Sequence, residues 1–428
     1  MLKLNSIPKN VFEATDVSAT QKITVNSNSG SKTVSRKDIV STGRLVACEY
    51  IGSLINANKF NIEKYNSKLD GSAVDYATLA RGFKEKKLLF CAAHADKLDG
   101  ITEHATTFEE FKRNSARYMR NANFMNANAA IDREVLEPIF FAVMDSVASG
   151  LMQLEAVPIG QTKEITIASN DAFVWEDSSF GSVRSVSKNY LYDGVVTLNP
   201  HVVACNATIK FYQDLVNGDA GRYYAAIIRG YYSKIYAMQI AALNGAVGLD
   251  NNPYIPAGLT SDTYTTANWI QITDLVAASN GVRVQDLMAV GTRSALNNVT
   301  PVDGTGGAIL GMSYGLGEEW FRNGFLGNVG GVDLFPVTPS IVPGTQNSTL
   351  DTIDTGNNIY ILAKGGYRPI MGAYAEGSPF MLSANPYGAE GSAQGTADMT
   401  IDINVSAYID IKAVFGSKVG VITSVLPT

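Results

Sequence analysis

Histidine is almost absent from this 428-residue chain, which has only His94, His104 and His201. Cysteine is as scarce: Cys48, Cys91 and Cys205 are few, odd in number and far apart, so no disulfide framework is expected. Long apolar runs are missing too. The longest weakly charged stretch, Ile235–Leu249, is broken by Gln239 and Asn244 and is too short to span a bilayer. The opening MLKLNSIPKN lacks the apolar core of a secretory leader. There is no excess of positive charge: 34 Lys and Arg stand against 40 Asp and Glu, a formal charge of −6. That balance argues against electrostatic affinity for nucleic acid or an anionic membrane. What the chain does have is apolar content, 46% of its residues, and length enough for two or three packed modules. The expectation is a soluble, cytosol-made globular protein with no membrane partner.

Scarce histidine also undoes the catalytic motifs. Gly311-Met312-Ser313-Tyr314-Gly315 matches a nucleophile elbow, with the apolar Ala308–Leu310 before it. An elbow serine needs a histidine later in the chain, and all three lie upstream. Cys91, His94 and His104 could supply three metal ligands, but no cysteine pair follows; a buried cysteine and two surface histidines are expected instead. Gly304, Gly306 and Gly307 miss the dinucleotide-binding register, and no glycine loop leads into Gly-Lys-Ser/Thr. The carboxylate pairs Glu318–Glu319 and Asp132–Glu134 read as solvated helix ends. Lys84, Lys86 and Lys87 read as a solvated basic face. Neither enzyme activity nor a cofactor or metal is expected.

Periodicity is most informative at Asp219–Leu243. Tyr224, Ile228, Tyr231, Ile235, Met238 and Ala242 recur at steps of four and three, forming one stripe of a helix. Tyr232, Tyr236, Ile240 and Leu243 widen the stripe, while Arg222, Arg229 and Ser233 fall opposite. Asp219 is the expected N-cap and Gly245 the expected stop. Before this helix, residues 1–42 read as a polar extended arm, and Gly43–Met125 turns helical. Thr106 and Thr107 precede Glu109 and Glu110 at capping-box spacing. Asn121–Asn128 reads as a hinge, followed by an apolar helix over Pro138–Leu154 with Pro138 in its first turn.

Lys163–Ile167 alternates as a strand. A polar excursion follows, broken by Phe173, Val174, Trp175 and Phe180, and the chain returns through strand-like Tyr190–Leu198 and Val202–Ile209. Loops this long are uncommon without a role. Beyond the long helix, Trp269–Ala278 reads as a helix, Asp286–Val290 as a buried strand and Thr292–Asn298 as a helix. Val332–Val337, Asn358–Ala363 and Arg368–Ala375 read as strands. Met399–Val405, Tyr408–Val414 and Val419–Val425 read as three strands in succession. The class is α+β.

The order of these parts resembles the major capsid proteins of tailed bacteriophages, the Hong Kong 97-like fold. The stretches that carry the resemblance are LNPHVVACNATIKFYQDLVNGDAG leading into the long helix, Asp286–Asn298, and the strand with its proline-rich turn at Gly331–Pro343. The resemblance implies an N-terminal arm over residues 1–130 and the first part of a peripheral domain over 131–159. An E-loop would occupy 160–200, the peripheral domain with its spine helix 201–248, an axial domain 249–342, and closing strands 343–428. It implies hexamers and pentamers tiled into an icosahedral virion shell around double-stranded DNA, without sequence-specific binding. Assembly would take place in the bacterial host cytoplasm, with portal, scaffolding and decoration proteins as further partners. The loop over 160–200 would lie on a neighbouring subunit, with Trp175, Phe180, Lys188 and Tyr190 as contact candidates. Some family members cross-link a loop lysine to a neighbour's asparagine. Lys163 and Lys188 lie in the right loop, but no partner is evident, so no inter-subunit cross-link is expected. Arg113, Arg117 and Arg120, at helical spacing, would face the interior. An encapsulin-type cargo compartment and an α+β enzyme of unrecognised family are the alternatives.

Overall fold

The computed structural model describes residues 22–27, 30–54, 76–148, 152–167, 177, 194–247, 259–299, 322–337, 339–345, 348–364, 368–376, 380–386, 400–414 and 418–423. Ser35 turns the chain from strand to helix. It closes an antiparallel hairpin of β1 (Lys22–Ser27) and β2 (Gly30–Ser35). Its hydroxyl then accepts the Asp38 backbone N–H at 3.2 Å, capping α1 (Arg36–Leu54). Helix therefore begins seven residues before Gly43. Gly43 is where α1 comes closest to its neighbours: a Cβ there would lie 2.7 Å from both Phe83 and Val135 side chains.

After α2 (Tyr76–Leu98), α3 (Phe108–Arg113) starts on the expected capping box. The Thr107 hydroxyl accepts the Glu110 N–H at 3.3 Å, and the Glu110 carboxylate accepts the Thr107 N–H at 3.2 Å. A short α4 (Ser115–Met119) leads to α5 (Ala122–Ala148). Two expectations fail here. Asn121–Asn128 is no hinge, because Asn121 Oδ1 accepts the N–H groups of Asn123 (2.8 Å) and Phe124 (3.1 Å) and starts α5 immediately. Pro138 lies inside the helix rather than in its first turn. Its missing N–H costs a helical hydrogen bond, offset by burial of Val135, Leu136, Ile139, Phe140 and Val143 around it. Met152–Leu154, expected at the helix end, instead begins strand β3 (Met152–Val157).

Strands β4 (Lys163–Ile167) and β5 (Gly194–Leu198) form an antiparallel ladder from Lys163 opposite Leu198 to Ile167 opposite Gly194. A ten-residue β6 (His201–Lys210) follows, then a π-helical turn at Phe211–Val216 and α6 (Ala220–Val247). Asp219 Oδ1 caps α6 through the Gly221 N–H at 2.9 Å. The helix runs two residues past Gly245 and is about 42 Å long at 1.5 Å per residue.

The later described strands complete a six-stranded sheet, a five-stranded sheet and a small β-ladder. β7 (Thr260–Ser261) precedes α7 (Thr266–Asn280), whose end is capped by Gly281 in the left-handed region, φ 65°. β8 (Leu287–Thr292), α8 (Arg293–Asn297), β9 (Asn328–Val329) and β10 (Val332–Val337) come next. They are followed by β11 (Ser340–Ile341), β12 (Thr352–Ile353), β13 (Ile359–Ala363), β14 (Ile370–Ala375) and β15 (Phe380–Pro386). β16 (Thr400–Ala413) and β17 (Gly420–Ile422) complete the described chain. One sheet has the order β7-β17-β13-β8-β10-β9. In the other, β3 runs parallel to β14, while β14, β15 and β6 all pair antiparallel with β16. The two strands expected at Met399–Val405 and Tyr408–Val414 are one. Their alternation passes through Ser406 and Ala407 in phase, and Ile401, Ile403, Val405, Ala407, Ile409 and Ile411 are all buried.

Helix α6 joins the cores. Its first half buries Tyr224 and Ile228 among α1, α2, α5, β15 and β16. Its second half buries Ile235, Tyr236, Ile240, Ala242 and Leu243 against Ile370, Ile409 and Ile411 of one sheet and Val290, Tyr360 and Val421 of the other. The six-stranded sheet is covered on its opposite face by α7, through Trp269, Ile272 and Val276 against Leu287, Ala289, Ile359 and Ile361. That two-sided burial explains the unbroken apolar run at Ile359–Ala363. Arg222 and Arg229 are exposed as expected, but Ser233 is buried, its hydroxyl 3.0 Å from Ser340 Oγ and donating to Ile341 O at 3.2 Å. Ile235→Ala should destabilise the protein by about 2–5 kcal/mol, whereas Arg229→Ala should change little. Equal shifts of the two variants in thermal unfolding would contradict this packing.

Candidate functional site: a buried polar cluster and an uncovered strand

Lys87 does not stand on a solvated face; it is 3% exposed. It shares a helical row with Ala80, Phe83 and Cys91 and so turns into the helical core. Lys87 Nζ contacts Asp132 Oδ1, and Tyr224 Oη donates to that same oxygen. Nζ also lies 3.4 Å from Tyr224 Oη. The other carboxylate oxygen, Asp132 Oδ2, accepts Asn128 Nδ2–H at 3.2 Å. Helices α2, α5 and α6 therefore meet at one carboxylate that is 1% exposed. Asp132–Glu134 is not a solvated helix end either. Glu134 pairs with Arg36, and its backbone carbonyl accepts from buried Arg44 at 2.9 Å.

Burial, reinforced by the Asp132 charge, holds the Tyr224 phenol well above its ordinary range. Burial likewise pushes the Cys91 thiol up to about 12. Cys91 is buried, as expected, and His104 is exposed; His94 is half-buried, and burial lowers its pKa, with Arg36 and Lys97 adding. Among the described residues, no group of three or more His, Cys, Asp or Glu is placed to hold a metal. No helix among them is long and apolar enough to cross a membrane. A second cluster joins α2 to α4: Asp96 accepts from Arg117 at 2.6 Å and from the Tyr118 hydroxyl at 2.7 Å. The helix breaks at Asn114, so Arg113, Arg117 and Arg120 do not share one helical face.

The second feature lies where the β4–β5 ladder meets the five-stranded sheet. Val196 and Ile165 are half-buried, Leu198 is buried, and Val195 is 58% exposed. The corner after β5 is tied to β16. Asp410 Oδ2 accepts the Asn199 N–H at 2.8 Å, and Lys412 Nζ donates to Thr197 O at 2.8 Å. β6 then pairs with β16 along its whole length, from His201 opposite Ile409 to Lys210 opposite Thr400. It has no strand on its other side among the described residues. The cores cover β16 fully but β6 only in part: Val203 and Ile209 are half-buried against them, whereas Val202 is 51% exposed and Ala204, Cys205 and Ala207 are exposed. Between His201 and Lys210 the strand has no charge, proline or bulge, the usual devices that keep a bare edge from pairing.

Trp175, Phe180, Lys188 and Tyr190 lie outside the described residues, as do the Gly311–Gly315 motif and Glu318–Glu319. The buried Lys87–Asp132–Asn128–Tyr224 set went unread because its members sit on three helices. The signal was present, since Lys87 interrupts the row Ala80, Phe83, Cys91 and Asp132 falls among the buried Ile131, Val135 and Leu136.

No family model matches the chain, and no curated protein does. Among solved structures it is similar to a chain of the bacteriophage PhiM1 mature capsid, at 11% identity and a TM-score of 0.38, covering 65% of this chain and 87% of that one. For a chain of Microbacterium phage Oxtober96 the figures are 11%, 0.37, 65% and 90%. For the SrpI encapsulin of Synechococcus elongatus they are 12%, 0.37, 64% and 86%.

Removing one partner of the buried pair leaves an uncompensated charge. Asp132→Ala is expected to destabilise the protein by about 3–5 kcal/mol, and the double variant Lys87→Met/Asp132→Leu by much less. Chemical denaturation of both variants checks this; a double variant as unstable as the single one would contradict it.

Proposed function

We propose that this chain is the shell subunit of a closed icosahedral particle, the major capsid protein of a tailed double-stranded DNA bacteriophage. One observation carries the reading: β6, uncharged between His201 and Lys210, has a free edge and exposes Val202, Ala204, Cys205 and Ala207, beside the β4–β5 ladder. Such a strand is a liability on a solitary molecule and is relieved when copies tile edge to edge. In this reading the six-stranded sheet with α7 is the axial domain, and the five-stranded sheet with α6 is the peripheral domain. The excursion between β4 and β5 lies over an adjacent subunit, with Trp175, Phe180, Lys188 and Tyr190 at the contact. Hexamers and pentamers of the chain form the wall, in the host cytoplasm, together with portal, scaffolding and decoration proteins. The chain performs no chemistry on a substrate. An acidic wall can still hold DNA, because confinement needs no affinity.

Electron microscopy of material from producing cells tests the reading. Closed shells with a high 260/280 absorbance ratio are expected; shells filled with protein cargo would favour a compartment, and monodisperse monomers would overturn the proposal. Val202→Lys with Ala204→Lys should abolish shells while leaving the circular dichroism of the free subunit unchanged. Shells that form undiminished from this variant would remove β6 from the interface.

A further inference from the structure

Lys84, Lys86 and Lys87 are neighbours in the sequence but have three different surroundings. Lys86 is exposed, Lys87 is buried on Asp132, and Lys84 is half-buried in the wall of a cleft. The cleft is a cavity of about 540 Å³ between α2, α3 and the start of α6. Arg81 and Lys84 line it from α2, Lys112 from α3, and Gly218 and Ala220 from the turn that leads into α6. Lys84 Nζ donates to Gly218 O at 2.8 Å, and among the described residues it makes no ion pair. Burial lowers its pKa; Glu85 and Asp219 act in the opposite direction, while Lys112 and Arg81 add to the lowering. The turn is fixed in place, since a Cβ on Gly218 would lie 2.2 Å from Asp214 O.

The flanking cations are only partly engaged. Arg81 meets Glu85 through Nε alone, at 3.2 Å, and Lys112 meets Glu109 at 3.2 Å. Asp219 is taken up in capping α6. Lys84 and Ala220 also line a smaller space of about 10 Å³, together with Tyr223, whose hydroxyl is buried without a hydrogen-bond partner. A half-buried ammonium without a counter-ion is unfavourable, and an anion in the cleft relieves it. A carboxylate brings one charge and two oxygens. A phosphate group brings up to two charges and more acceptor oxygens, enough to meet donors from α2 and α3 beside the positive end of a 28-residue helix. We propose that this cleft binds a phosphate group, with Lys84 at its centre and Arg81 and Lys112 beside it. The cavity is larger than a bare phosphate and has the size of a small-molecule site. Two sources carry that chemistry, a free nucleotide and the backbone of a nucleic acid. The formal charge of −6 on the whole chain opposes long-range attraction but is screened beyond about 8 Å at physiological salt, so the local cations decide.

Isothermal titration calorimetry on the purified full chain tests the site without reliance on shell assembly. Thymidine 5′-monophosphate should bind with one molecule per chain. Lys84→Met and, separately, Arg81→Gln should each weaken binding by about tenfold or more. Lys86→Met removes the same charge from an exposed position on α2 and should leave binding unchanged. Arg81 is itself exposed, so its variant keeps the test open if Lys84→Met fails to fold. An oligothymidylate without terminal phosphate separates the sources: competition with the monophosphate assigns the cleft to a nucleic-acid backbone, and failure to compete assigns it to a free phosphate ester. No binding of the monophosphate at millimolar concentration would overturn the proposal. Equal weakening in Lys86→Met, the mark of diffuse surface charge, would overturn it as well.

Discussion

The rest of the described structure depends on α6 being apolar on more than one side. An ordinary surface helix buries one stripe and leaves the other face to water. Here the first half of the helix closes the helical core of α1, α2 and α5, and the second half wedges between two sheets. The body around it has no separable halves, because Tyr224 and Ile235 lie on one rigid rod and serve different cores. Length follows from this role: a shorter helix could serve one core but not both.

Polar anchoring follows the same rod. Asp132 collects Lys87 from α2 and Tyr224 from α6, tying the N-terminal helices to α6 at its buried start. Near the other end, the Tyr360 hydroxyl donates to Asn244 Oδ1, tying the six-stranded sheet to α6. Buried charge and buried hydroxyls are costly unless paired, so these contacts fix orientation as well as contributing energy. On β16, Asp410 and Lys412 fix the corner between β5 and β6. The cores cover β6 only at Val203 and Ile209, and its free edge leaves the packed body with an unfilled side.

Elements with strong local patterns were legible in the sequence. The stripe from Tyr224 to Ala242, the Thr107–Glu110 capping box and the strands at Lys163–Ile167 and Val332–Val337 all stand where their periodicity puts them. The misreadings share one cause, tertiary contact overriding local signal. Pro138 suggested a helix start, but the burial of its neighbours sustains a helix through it. The Asn-rich Asn121–Asn128 suggested a hinge, yet one asparagine caps a helix and another is hydrogen-bonded in the core. Lys87 and Asp132 looked like surface charge because single-residue polarity says nothing of a partner 45 residues away. The bare edge of β6 was equally unreadable, since alternation in HVVACNATIK does not reveal which face a helix covers.

The central claim is that β6 is uncovered in the single subunit and covered by another copy in the assembled state. Amide hydrogen exchange on both forms measures this directly. Backbone amides of Val202–Ile209 that point away from β16 should exchange rapidly in the dissociated subunit and become protected in the particle. Equal exchange in the two forms, or full protection in the isolated subunit, would contradict the account.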